Sequence, residues 1–162
     1  WITGLSGSGK STIGKLIKND IENKYGKTLL INGDDLRQIF DIKNYDRKER
    51  LETGKKYINL CNFLIKQNIN VIFTVVGLFK ELHKINRKKF SNYVEIYIKS
   101  DIKRLQKQKT KKFYIIKTKN VWGIDIKPDY PQKPHVIINN NGKKNLKFIK
   151  SELLNKIYKV LK

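Results

Sequence analysis

Trp1-Ile2-Thr3-Gly4-Leu5-Ser6-Gly7-Ser8-Gly9-Lys10-Ser11-Thr12 is the stretch that decides the fold. Its apolar opening predicts a strand, its three glycines a curled turn, and the periodic residues after Lys10 a helix. In that strand-loop-helix setting, Gly4-x-x-x-x-Gly9-Lys10-Ser11 has the spacing of a phosphate-binding loop. The backbone N–H groups and the positive end of the helix cradle the phosphates of a nucleoside triphosphate. Lys10 is expected to reach the β- and γ-phosphates, and the Ser11 hydroxyl to join the shell of a Mg²⁺ ion. The candidate nucleotide-binding set is Gly4, Leu5, Ser6, Gly7, Ser8, Gly9, Lys10, Ser11 and Thr12, with ATP and Mg²⁺ as cofactors. An ordinary glycine turn would leave Lys10 without a role.

Outward from the loop, apolar runs and helical patterns alternate. Strands are predicted near 1–3, 28–32, 71–76, 93–98 and 135–138, and helices over 10–24, 34–40, 46–68, 79–90, 101–110 and 144–161. Residues 111–134 read as irregular and belong to a lid-like segment of about 108–134. This order predicts an α/β fold, a parallel five-stranded sheet with helices on both faces, in one domain spanning 1–162. Ligands of such sheets sit at the carboxyl ends of the strands, where the loop and the Gly33-Asp34-Asp35 turn both fall.

The chain has 36 Lys and Arg against 14 Asp and Glu, a net charge of +22. Clustered cations would point to nucleic acid, yet 31 of the 36 are lysines spread from Lys10 to Lys162, without an aromatic-interleaved patch. A composition rich in Lys, Asn and Ile accounts for the charge, and nucleic acid is not the expected partner. The charge is still expected to draw anionic nucleotides to the cleft in a salt-dependent way. With no apolar run of about 18 residues and no charged-then-apolar leader, neither a membrane span nor a signal peptide is expected, and the cytoplasm is the expected location. Cys61, the single cysteine, lies among Leu60, Phe63 and Leu64 and is expected in the core.

The acidic residues separate the groups that share this loop. A motor-type ATPase needs an acidic residue at the end of a core strand, and Asn70-Val71-Ile72-Phe73-Thr74-Val75-Val76-Gly77 ends without one. A GTPase needs an Asn-Lys-x-Asp guanine reader, absent after both late strands. Thr28-Leu29-Leu30-Ile31-Asn32-Gly33-Asp34-Asp35-Leu36-Arg37 instead delivers carboxylates beside the γ-phosphate and an arginine one turn on. That suits transfer to a hydroxyl: Asp34 orients or deprotonates the acceptor and helps hold Mg²⁺, while Arg37 grips an anionic acceptor. Asp34 could also cap the helix that follows, and Asp35 is the fallback base. Lys10 and Asp34 are the candidate catalytic residues, and Ser11 and Asp34 the candidate metal ligands.

At these residues the chain resembles the adenylylsulfate kinases, which transfer the ATP γ-phosphate to the 3′-hydroxyl of adenosine 5′-phosphosulfate. The matching elements are the opening twelve residues, Gly33-Asp34-x-x-Arg37, Asp46-Arg47 and Gly123-Ile124-Asp125 before a proline-containing stretch. The resemblance implies a P-loop kinase three-layer sandwich, small-molecule nucleotide substrates and, since dimers are common in the family, a homodimer. It implies that Asp34, Arg37 and Arg47 bind the acceptor nucleotide and that Ile124 and its neighbours Trp122 and Gly123 lie near the acceptor's base. Lys111 stays in register in the lid and is implied as a further acceptor-binding residue.

The chain also departs from the family pattern. Asn32 stands for an aspartate, and Lys48-Glu49-Arg50-Leu51-Glu52-Thr53 follows Asp46-Arg47 where an Asn and paired arginines are usual. Gly77 takes the place where many members carry a serine that can be phosphorylated, so a phosphoserine intermediate is not expected. In the lid, Gln108-Lys109-Thr110-Lys111-Lys112-Phe113-Tyr114 replaces Arg-Asp-x-Lys-Gly-Leu-Tyr. A base could stack on Trp122 or Phe113, or these rings could simply pack on the sheet.

These departures resemble a divergent branch that includes members associated with bacterial surface polysaccharide synthesis. Adenosine 5′-phosphosulfate is the first acceptor implied, and a cytidine nucleotide bearing a phosphoramidate the alternative. An ATP-binding protein without transferase activity and a nucleic-acid-end kinase rank below both.

Overall fold

Strand β1 (Ile2–Thr3) is the centre of a five-stranded, all-parallel sheet in the order β2-β3-β1-β4-β5. Its partners are β2 (Thr28–Asn32), β3 (Asn70–Val75), β4 (Ile96–Lys99) and β5 (Val136–Asn139). This computed structural model describes residues 1–107, 119–140 and 145–161. Register is set by pairs such as Ile2 with Thr74 and Ile2 with Ile96, so β1 feeds its loop into the gap between its two neighbours. The order reverses at β1, the switch point where open parallel sheets bind ligands.

Alternation along the strands separates two cores. Ile2, Ile72, Ile96, Ile98, Val136 and Ile138 face α1 (Lys10–Tyr25) and α6 (Leu146–Val160), which bury Ile13, Ile17 and Ile21, and Ile149, Leu153 and Ile157. Those spacings of four and eight place each set on one helical stripe. Phe73 points the other way, stacked on Trp1 at 4.9 Å and tilted against Tyr57 at 5.3 Å, into the core of α3 (Arg47–Ile65) and α4 (Lys80–Lys89). Cys61 is buried in that core, and burial pushes its thiol up to about 12, so it serves as packing.

Element ends follow local chemistry. Asp46 caps α3 by accepting a 2.9 Å hydrogen bond from the Glu49 N–H, leaving Arg47 and Arg50 in the opening turns. α3 stops at Ile65, before the expected 68, because Asn68 adopts a left-handed φ of 58° and the Leu64 carbonyl accepts from Gln67 and Ile69 instead. β4 begins at Ile96 rather than 93: the Glu95 N–H donates to His135 Nδ1 at 2.9 Å and leaves the ladder. α2 (Gly33–Ile39) starts one residue early with Asn32 at its N-cap, so Asp34 lies inside the first turn and is not the cap. α5 is described over Ile102–Lys107.

A buried polar cluster joins α4 to the segment leading into β4. Glu95 is 1% exposed, with Oε2 2.5 Å from Arg87 and Oε1 2.8 Å from His83 Nδ1. Burial raises its carboxyl, but the hydrogen bonds and charges of His83 and Arg87 outweigh it and hold the group below its usual value. A depressed folded value stabilises the fold above the unfolded carboxyl's pKa of about 4.3 and is lost as pH falls through the folded value. Glu95→Gln is expected to cost on the order of 2 kcal/mol at pH 7, by replacing the buried carboxylate that meets His83 and the exposed Arg87 with a neutral amide. Thermal unfolding should show that loss and a flatter acid limb than the unsubstituted chain.

Candidate active site

The loop after β1 is built by close approach. A Cβ on Gly4 would stand 2.5 Å from the Ile98 carbonyl oxygen of β4, and one on Gly9, at φ 96°, 2.8 Å from Asn140 Nδ2. Asn140 donates that amide to the Ser8 carbonyl at 2.8 Å, tying the loop to the end of β5. Leu5 is 2% exposed and packs in the core, while its carbonyl accepts from Lys10 Nζ at 2.9 Å. Ser8 is fully buried; Gly7, Ser11 and Thr12 are exposed, and Ser6, Gly9 and Lys10 are partly so. Leu5 and Ser8 therefore shape the loop with their side chains, and the outward face belongs to Ser6, Gly7, Lys10, Ser11 and Thr12.

A cavity of about 400 Å³ opens beside the loop at Ser6. α2 contributes Asp34 and Arg37, α3 contributes Arg50, Thr53 and Tyr57, and the segment after β3 contributes Gly77 and Phe79. Asp35 is held by Asn32 Nδ2 at 2.8 Å, and Asn32 Oδ1 accepts from Thr74 Oγ1 at 2.7 Å. Asn32, the residue that departs from the family aspartate, thus fastens α2 to β3 and occupies Asp35. Asp34 is exposed at the cavity wall, the acidic side chain there with no hydrogen-bond partner among the described residues. Gly77 has φ 38°, and a Cβ there would meet Val75 at 3.0 Å and the Trp1 ring at 3.4 Å, so a serine would be strained.

The three arginines divide. Arg37 donates to the Ile42 and Asn44 carbonyls at 3.0 and 3.1 Å, lies 4.3 Å from the Tyr45 ring centroid and lines the cavity. Arg47, expected beside it, pairs with Asp129 at 3.0 Å, lies over Phe79 and does not line the cavity. Arg50, not singled out from the sequence, lines it instead; Nε donates to the Tyr45 carbonyl at 2.6 Å and Nη2 to the Asn120 carbonyl at 2.7 Å. Burial, then the neighbouring Arg37, brings its guanidinium down to about 10. The signal for Arg50 is the stripe Arg50, Thr53, Gly54, Tyr57 at positions i, i+3, i+4 and i+7 of one helix.

Residues 119–134 are irregular, as expected, and part of this stretch closes the cavity. The Val121 carbonyl accepts from the N–H groups of Ile124, Asp125 and Ile126, and Asp125 accepts from the Val121 N–H at 3.0 Å. That tight turn, with Gly123 at φ 83°, points Trp122 inward at 4% exposure and leaves Ile124 47% exposed. Trp122 meets Phe79 edge-to-face at 4.9 Å and lines the cavity with Lys119, Asn120 and Val121. Ile124 and Gly123 do not line it, because the turn puts them on its far side. Lys111 and Phe113 lie outside the described residues.

Among the described residues no group of three or more His, Cys, Asp or Glu could hold a metal, and no helix is long and apolar enough to cross a membrane. A Mg²⁺ carried by nucleotide phosphates needs only one or two protein oxygens, and the exposed Ser11 hydroxyl and Asp34 suit it.

The family model for adenylylsulphate kinase matches residues 1–139. The chain is 38% identical over 150 residues to the cytidine diphosphoramidate kinase of Campylobacter jejuni, covering 90% of this chain and 88% of that one. It is 26% identical over 147 residues to the adenylyl-sulfate kinase of Clostridium kluyveri, covering 87% and 74%. Its fold matches an APS kinase of Mycobacterium tuberculosis solved with AMPPNP and APS, with a TM-score of 0.84, 20% identity and coverage of 98% and 95%.

Proposed function

Because the chain belongs to the adenylylsulphate kinase family, we propose that it transfers the γ-phosphate of ATP to the 3′-hydroxyl of a ribonucleotide whose 5′ end is acidic, and that this acceptor is cytidine diphosphoramidate. The observation that carries the reaction is the cavity joined to the phosphate loop at Ser6, with Asp34 on its wall making no hydrogen bond to the described residues and two guanidinium groups inside. The cytidine acceptor is supported by the 38% identity to a kinase of that nucleotide, and by the departures from the family pattern at Arg50, Thr53 and Gly77, which line the cavity.

In the proposed step the acceptor 3′-oxygen forms a bond to the γ-phosphorus as the bond to the β-phosphate oxygen breaks, and ADP leaves. Asp34 takes the hydroxyl proton; Lys10 and the loop amides stabilise the transferring phosphoryl. Ser11 and Asp34 would hold Mg²⁺, which when bound neutralises phosphate charge. Trp122 and Phe79 give the base an apolar wall that excludes water. Adenosine 5′-phosphosulfate is the second reading, favoured by the family match over residues 1–139. By analogy with the family, a homodimer is the proposed assembly, and the cytoplasm the proposed location.

Single-turnover transfer of labelled γ-phosphate, with the two acceptors offered in parallel, tests the proposal. Label on the 3′-oxygen of cytidine diphosphoramidate alone is the expected result. Label on adenosine 5′-phosphosulfate alone would replace the acceptor and keep the chemistry, and no transfer to either would overturn both.

A further inference from the structure

The acceptor cavity contains two guanidinium groups held near each other, with the carboxylates of Asp34 and Asp46 near Arg50 but bonded to neither arginine among the described residues. Among the described residues neither Arg37 nor Arg50 forms an ion pair, whereas Arg47 is neutralised by Asp129 at 3.0 Å. The Arg37 and Arg50 guanidiniums stack on one ring, their carbon atoms 4.3 and 5.0 Å from the Tyr45 centroid, and both are anchored by carbonyls of the same 42–45 turn. The anchoring bonds use Nη1 and Nη2 of Arg37 and Nε and Nη2 of Arg50; Nη1 of Arg50 donates to none of the described residues. Two like charges held close in a partly buried space repel each other and lose hydration, a cost that an anion bridging them removes. Their fixed planes around Tyr45 present donors to two adjacent anionic centres rather than one.

We infer that Arg50 with Arg37 binds the 5′ end of the acceptor and makes the site selective for two linked anionic centres, as in a diphosphate, its amidate or a phosphosulfate, over a 5′-monophosphate. Arg47, by contrast, is a positioning residue: it fixes Asp129, whose carboxylate also lies 3.5 Å from the Lys80 N–H and whose carbonyl lies 3.3 Å from His83 Nε2. This inference rests on the cavity being the acceptor site, and it assigns that site's second cation to a residue where the family pattern has Asn.

Calorimetric titration of the full chain, its loop saturated with Mg²⁺ and AMPPNP, tests it with the pairs CDP against CMP and ADP against AMP. The unsubstituted chain is expected to prefer the diphosphate of at least one pair by about tenfold or more, the worth of one charge-assisted hydrogen bond. Arg50→Gln should bring that ratio close to one. Arg50→Lys should recover part of it, which a purely structural role through the Tyr45 and Asn120 carbonyls would not. Arg47→Gln should shift the ratio less than Arg50→Gln does.

An unchanged ratio in Arg50→Gln, no recovery in Arg50→Lys, or a larger effect from Arg47→Gln overturns the assignment. Diphosphate preference that depends on Arg50 without phosphoryl transfer would uphold the anion site and overturn the proposed reaction. Failure of all four nucleotides to bind would overturn the acceptor cavity itself.

Discussion

Asp34→Asn is expected to lower phosphoryl transfer by about 10²–10⁴-fold while ATP binding persists. The substitution keeps the side chain's shape, so what it removes is the carboxylate as proton acceptor. Asp34 is free for that role because Asp35 is held by Asn32, and Asn32 in turn by Thr74. Loss of one negative charge from the first turn of α2 costs only about 0.3–1 kcal/mol of helix stabilisation, too little to unfold a domain. A turnover number within threefold of the unsubstituted chain, alongside unchanged binding of a fluorescent ATP analogue, would remove Asp34 from the mechanism. Transfer moving to depend on Asp35 would show in the companion Asp35→Asn variant.

Gly4→Ala should damage the protein more broadly. Its Cβ would meet a backbone carbonyl, Ile98 O at 2.5 Å, and the Ser8 hydroxyl at 2.9 Å, at a φ of 151° that side chains avoid. The Ile98 carbonyl belongs to the central part of the sheet and has no flexible end to give way. Overpacking and backbone strain together are worth on the order of 3 kcal/mol, or roughly 10 °C in melting temperature for a domain of this size. ATP affinity should fall as well, because the loop must lift from β4 to admit the methyl group. A melting temperature within 2 °C and unchanged ATP affinity would contradict the close approach. Gly26→Ala is a useful contrast: its φ of 90° is also unfavourable, but a Cβ there meets nothing within 4 Å, so backbone strain alone acts.

The cavity's selectivity and its catalysis are separable. In the proposed reaction Asp34 acts on the 3′-hydroxyl, whereas the arginines act on the part of the acceptor that does not react. Asp34→Asn should therefore leave the diphosphate preference in place, and Arg50→Gln should raise the acceptor KM more than it lowers kcat.

The period and order of the apolar residues determined the five strands, the helices and the parallel sheet, since each depends on neighbours within a few positions. The phosphate loop was equally legible, because its function depends on backbone curvature that Gly4, Gly7 and Gly9 encode at fixed spacing. Asp34 and Arg37 could be placed together at the cavity wall for the same reason, lying three residues apart on one short helix after one strand. The resemblance carried the family and the reaction class.

Only the tertiary structure decided which arginine enters the cavity. Arg47 and Arg50 are both in the opening turns of α3, and what separates them is Asp129, 82 residues further along, which draws Arg47 away. The outward face of Ile124, the inward face of Trp122 and the ion cluster around Glu95 likewise depend on turns and contacts between distant segments. Local sequence specifies backbone geometry; the pairing of charges is settled by whatever the folded chain brings within a few ångströms.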